Sequence, residues 1–169
     1  MRCGLLLCAC VLAIPHAVTA EPTVLKLDAN APVWDVTPGD VNNDKRTDLL
    51  VLTCKDTAEP LEKSLQLFLA QEDGRYPAQP SVELDLGPRI GALFLSEIDG
   101  APPLEVVAVD AEGASVYRCE GGRLNLLDQP RFASLFPTWS KEPQFLKEKS
   151  IDLDNDGVDE WLVPTASGY

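Results

Sequence analysis

The sequence predicts an all-β chain built from a repeated four-stranded unit, and three observations carry that reading. Three segments align without gaps: GDVNNDKRTDLLVL at 39–52, SEIDGAPPLEVVAV at 96–109 and IDLDNDGVDEWLVP at 151–164. Their first loop positions, Asp40, Glu97 and Asp152, stand 57 and 55 residues apart, a period that suits one four-stranded propeller blade per repeat. No long 3.6-residue apolar periodicity runs anywhere in the chain. The expected fold is therefore a partial β-propeller of about three four-stranded blades, near 31–87, 88–142 and 143–169.

Residues 1–20 come first and stand outside that fold. They hold one cation, Arg2, then an apolar run broken by Pro15 and His16, and they close on Val18-Thr19-Ala20. Small residues at the end of such a run suit a signal peptidase, so cleavage is expected after Ala20, giving an exported, periplasmic, cell-surface or secreted protein. The segment 21–169 keeps 13 of the 14 Lys/Arg and all 27 Asp/Glu, a net charge of −14. Such a surface repels nucleic acid and anionic membrane and attracts cations. His16, the only histidine, leaves with the leader, which excludes Ser-His-Asp and Cys-His catalysis and histidine-bound zinc in the remainder. Cys54 and Cys119 remain, either as a disulfide or as two unpaired strand thiols.

Each aligned loop runs into a short apolar segment: Asp48-Leu49-Leu50-Val51-Leu52, Glu105-Val106-Val107-Ala108-Val109 and Glu160-Trp161-Leu162-Val163. Apolar runs of this length bounded by turn residues read as buried strands. In the first repeat 64–70 and 81–86 read as further strands about a turn at 71–75, and in the second 114–119 runs into a Gly121-Gly122 turn. Asp-Gly and Gly-Gly between such runs signal hairpins, because these residues tolerate positive φ. The best helical candidate, 144–149, follows Pro143 and is too short to assign. The proline-rich stretch 128–143 reads as an inserted loop whose aromatics, Phe132, Phe136 and Trp139, pack back on the blade.

The loops carry the chemistry. Asp40, Asn42, Asp44 and Asp48 occupy loop positions 1, 3, 5 and 9 of the first; Asp152, Asp154, Asp156 and Glu160 occupy them in the third. Alternate residues of a tight turn point into one concavity, and a backbone carbonyl from position 7, Arg46 or Val158, completes an oxygen shell. Calcium takes about six to eight hard oxygen ligands in tolerant geometry, whereas magnesium demands a stricter octahedron, so Ca2+ is the expected ion. Position 6 is Gly157 in the third loop and Lys45 in the first, where positive φ costs about 1 kcal/mol. The first site is therefore expected to be the weaker. The second loop offers Glu97, Asp99 and Glu105 but has Ala101 at position 5 and Pro102-Pro103 after it, and is expected to have lost its metal. An EF-hand is excluded, because position 12 is Val51 or Val163 inside a strand rather than a bidentate Glu.

The pattern D-x-[DN]-x-D-G-x-x-[DE]-L-x-V before a strand resembles the FG-GAP/VCBS repeat of integrin α-subunit propellers and many bacterial surface proteins. The stretch LFLAQEDGRY at 67–76 resembles that family's hairpin after the calcium loop, and the likeness covers roughly 31–169. Lys45, Ala101 and the insertion before Lys147 depart from the pattern. The resemblance implies calcium that rigidifies a propeller, and a binding role at its faces toward a protein or glycan partner. Closed rings of this family have about seven blades and small propellers at least four, so three repeats are expected to be part of a longer chain. The leading functional expectation is a non-catalytic, calcium-stabilised binding scaffold. The alternative is an accessory propeller of a secreted hydrolase or lyase with its catalytic part beyond residue 169, or acids such as Asp85, Asp110 and Asp128 paired for glycoside hydrolysis.

Overall fold

The computed structural model describes residues 25–55, 61–136, 144–146 and 149–166; the expected leader, Trp139 and Lys147 lie outside them. Every regular element among the described residues is a strand. β1 (Val33–Gly39), β2 (Asp48–Lys55), β3 (Glu62–Phe68) and β4 (Val82–Asp85) form an antiparallel sheet in chain order. β5 (Ala92–Ser96), β6 (Glu105–Asp110), β7 (Gly113–Glu120) and β8 (Arg123–Asp128) repeat that meander. A short β9 (Gln144–Phe145) lies parallel to β5, and β10 (Ser150–Ile151) pairs with β11 (Glu160–Trp161).

The apolar runs explain the stacking. Leu50, Leu52, Leu65 and Leu67 of the first sheet meet Leu93, Val106, Ala108 and Cys119 of the second in one buried cluster. The opposite face of the second sheet, with Phe94, Val107 and Val109, buries a second cluster covered by Phe132, Phe136, Leu146 and Trp161. A sheet covered on both faces needs apolar residues at consecutive positions, which is why β6 reads as a run rather than an alternation. Phe132 and Phe136 thus pack back on the sheet as their sequence context predicts. Residues 144–146 form no helix. A segment that short cannot offset helix nucleation, and here its backbone completes the β5 edge, with Leu146 N–H donating to Leu93 C=O at 2.7 Å.

Turn chemistry closes the hairpins. Gly121 and Gly122, at φ 57° and 72°, form the two-residue connection between β7 and β8. Cys54 and Cys119 are both buried and form no disulfide.

One buried cation ties the sheets together. Lys63 projects from β3 on the same face as Cys54, its cross-strand neighbour, and its Nζ donates to Ile90 C=O at 2.6 Å. Burial pulls the Lys63 pKa below the ordinary lysine range, with the Cys54 thiol the opposing influence. On raising pH toward about 10.4, the folded protein releases this proton before the unfolded chain does, so stability rises across that window. The difference in melting temperature between wild type and Lys63→Met should therefore shift in favour of wild type as pH climbs from 7 to 10, measured by circular dichroism.

Candidate metal centre

The three acidic loops occupy the same place in their sheets. Each joins the first two strands, and each is closed by one cross-strand pair: Gly39↔Asp48, Ser96↔Glu105 and Ile151↔Glu160. The acid at position 9 opens each second strand and turns its carboxylate back on the loop. Asp48 Oδ2 accepts from Val41 N–H at 3.2 Å, Glu105 Oε2 from Ile98 N–H at 3.2 Å and Glu160 Oε2 from Leu153 N–H at 2.8 Å.

The first and third loops also share their inner wiring. Asp40 accepts from Asp44 N–H and Lys45 N–H at 3.2 and 2.9 Å; Asp152 accepts from Asp156 N–H and Gly157 N–H at 3.1 and 3.0 Å. Asn42 and Asp154 each accept from the N–H at position 5, at 3.1 and 3.2 Å. These bonds wind the chain so that positions 4 and 6 need positive φ: 59° at Asn43 and 65° at Lys45, 63° at Asn155 and 92° at Gly157. Asparagine tolerates that region through local hydrogen bonding and glycine enters it freely, but lysine does so at a cost of about 1 kcal/mol.

What differs is the cation each loop already owns. In the third loop, carboxylate oxygens of Asp152, Asp154 and Asp156 lie within 4.8 Å of one another. In the first loop the Arg46 guanidinium lies on Asp44 Oδ2 at 2.7 Å, and its Nε donates to Ala70 C=O at 3.0 Å. Asn42 Nδ2 donates to the same Asp44 oxygen at 2.8 Å. Asp48 is fully buried; burial pushes its carboxyl above the usual aspartate range, against the N–H bonds from Ala70 and Val41 that lower it.

In the second loop an arginine stands among the acids. Arg118, from β7, donates from Nη2 to Asp99 Oδ2 at 2.7 Å and from Nε to Glu105 Oε1 at 2.6 Å. Glu105 is fully buried, which raises its carboxyl above the usual glutamate range although Arg118 pulls the other way. Asp99 is held low, chiefly by its hydrogen bond from Arg118, and the guanidinium is held more firmly protonated by both acids. A fixed guanidinium thus engages two of the three acids in the loop that lacks an acid at position 5.

The second and third loops are also fastened together. Glu97 N–H donates to Asp159 Oδ2 at 2.8 Å and Asp159 N–H to Glu97 C=O at 2.7 Å. Trp161 Nε1 donates to Ser96 Oγ at 2.9 Å, and its ring meets Phe94 edge-on at 5.7 Å. The third loop is therefore anchored to the second sheet although its own hairpin has only two residues per strand.

All of the sequence-nominated oxygen positions fall in these loops, whereas Asp85, Asp110 and Asp128 lie at the ends of β4, β6 and β8. Each accepts from a backbone N–H just downstream, at Gly87, Glu112 and Gln129, at 2.8, 2.8 and 2.7 Å. They cap turns at separate strand ends. Arg46 and Arg118 are the charged groups the sequence reading missed as side chains. Lys45→Gly should relieve the positive φ and remove a cation beside the first loop, tightening calcium there severalfold by calorimetric titration.

No protein-family model, curated protein or solved structure matches the chain.

Proposed function

We propose that this chain is a segment of a calcium-stabilised β-propeller of the FG-GAP/VCBS type, exported and acting as a non-catalytic scaffold for a protein or glycan partner. One observation supports the reading most: a strand-loop-strand unit recurs three times with the same closing register, and two copies keep oxygen side chains at positions 1, 3, 5 and 9. The ion would be held by Asp152, Asp154, Asp156, Glu160 and the Val158 carbonyl in the third loop. In the first it would be held by Asp40, Asn42, Asp44, Asp48 and the Arg46 carbonyl. Its chemistry is structural, since neutralising converging carboxylates stabilises the turn between two strands and adds binding free energy to folding.

The face-to-face packing of two equivalent meanders agrees with consecutive blades, each burying its apolar face on the next. Asp85, Asp110 and Asp128 each accept from the backbone N–H just downstream, a turn-capping role that by itself accounts for these acids. Thermal melts of the full chain in EDTA, in millimolar calcium and in millimolar magnesium test the reading. A rise specific to calcium supports it, and a folded protein indifferent to calcium sinks it.

A further inference from the structure

At the end of the second sheet remote from the acidic loops, a cavity of about 290 Å³ opens beneath the 86–90 segment that links the two sheets. Its position follows from the strands: β6 leaves the loop end at Glu105 and reaches the far end at Asp110, where a two-residue turn sends β7 back. The register Asp110↔Gly113 and Ala108↔Ser115 places these four residues on one face of the sheet. Three are small, so the sheet itself is the cavity floor, and Tyr117, two residues beyond Ser115, adds an aromatic wall. The floor is built close: a Cβ on Gly113 would lie 2.2 Å from Pro130 C=O.

The polar groups are organised as mixed donors and acceptors. Asp110 is held by Glu112 N–H at 2.8 Å and by Arg89 at 4.0 Å. Arg89 and Arg131 line the cavity beside Asp110, and each also reaches the exposed Glu112, which stands outside the lining, at 3.1 and 3.6 Å. Gln129 Nε2 donates to Ser115 Oγ at 3.1 Å, and the Tyr117 hydroxyl has no hydrogen bond among the described residues. Both guanidinium groups of the lining are already engaged by carboxylates, of Asp110 inside and Glu112 outside, which leaves an ion no unpaired charge, and the acidic protein as a whole repels anions. Vicinal hydroxyls match the lining better, since they accept from a guanidinium and donate to a carboxylate at once, while the apolar face of a ring lies on tyrosine. The volume sits at the small end of ligand clefts, which run from about 300 Å³, and suits a sugar-sized guest.

We infer that this cavity is a binding subsite for a neutral pyranose of a glycan partner. The inference rests on the scaffold reading above and narrows its partner. The experiment is saturation-transfer NMR on the full chain with methyl α-mannoside, N-acetylglucosamine, methyl β-galactoside and glucuronate as probes, each at about 10 mM. Transfer to at least one neutral pyranose is expected, abolished by Ser115→Leu, which fills the cavity, and weakened about threefold to tenfold by Gln129→Ala. Gln129 is exposed, so its variant keeps the test valid where Ser115→Leu melts below wild type. No transfer to any neutral sugar, transfer to glucuronate alone, or transfer unchanged by Gln129→Ala and by a folded Ser115→Leu overturns the inference. A sugar-binding chain whose melting ignores calcium would overturn the calcium scaffold and leave the subsite standing; a calcium response without sugar transfer would do the reverse.

Discussion

Replacing Asp154 and Asp156 together by asparagine abolishes the calcium-dependent rise in melting temperature contributed by the third loop. The substitution keeps the oxygens that accept from Asp156 N–H and Val158 N–H, at 3.2 and 2.8 Å, and removes two charges. A ligand at one hundred times its dissociation constant stabilises by about 2.7 kcal/mol, which for a chain of this size is roughly 5–10 °C. Wild type should gain that much in calcium. In EDTA the order reverses, because three carboxylates within 4.8 Å repel one another and the variant relieves them. The variant should therefore melt above wild type without calcium and below it with calcium. A variant that still gains the full wild-type rise would place the ion elsewhere.

The second large effect lies in the loop with its own cation. Arg118→Met leaves Glu105 fully buried with its charge unmatched, and breaking one side of such a pair costs about 3–5 kcal/mol. Urea denaturation at pH 7 should show that loss. Adding Glu105→Gln should return most of it, since the amide oxygen still accepts from Ile98 N–H and no charge is buried. Acid should rescue the single variant as well. A buried carboxyl with a raised pKa takes its proton in the folded state first, so stability rises as pH falls through that pKa toward about 4.3. A loss well under 1 kcal/mol would mean that water reaches Glu105 once the arginine is gone.

The all-β class was legible because β2, β3 and β6 carry their signal locally, in Val- or Leu-rich runs, and β7 is marked by the Gly121-Gly122 turn after it. The positive φ at Lys45 and Gly157 was legible too, since it follows from winding the chain about position 1. The strands that precede the loops were harder. β1 holds Asp35 and Pro38 and exposes Val33, Trp34 and Val36, so it lacks a buried run. β9 is two residues long and exists only because the edge of β5 offers a parallel partner, information that lies some fifty residues away.

Arg118 is the instructive omission. The two-residue turn after Asp110 sets Asp110↔Gly113 and Val106↔Tyr117, and one step further along that register Arg118 faces Glu105. The pairing could have been counted from the hairpin alone, and it accounts for an acidic loop that keeps its acids without a full oxygen set. The bonds between Glu97 and Asp159 had no such local signal, because they depend on how the third hairpin seats against the second sheet.

On the proposed reading the acidic loops hold calcium, the third more tightly than the first and the second not at all. Anomalous diffraction from crystals of the chain grown in millimolar calcium tests it most directly. A strong peak should be enclosed by Asp152, Asp154, Asp156 and Glu160, a weaker one by Asp40, Asn42, Asp44 and Asp48, and none should lie between Arg118 and Glu105. Ordered first and third loops without a peak in either would contradict it.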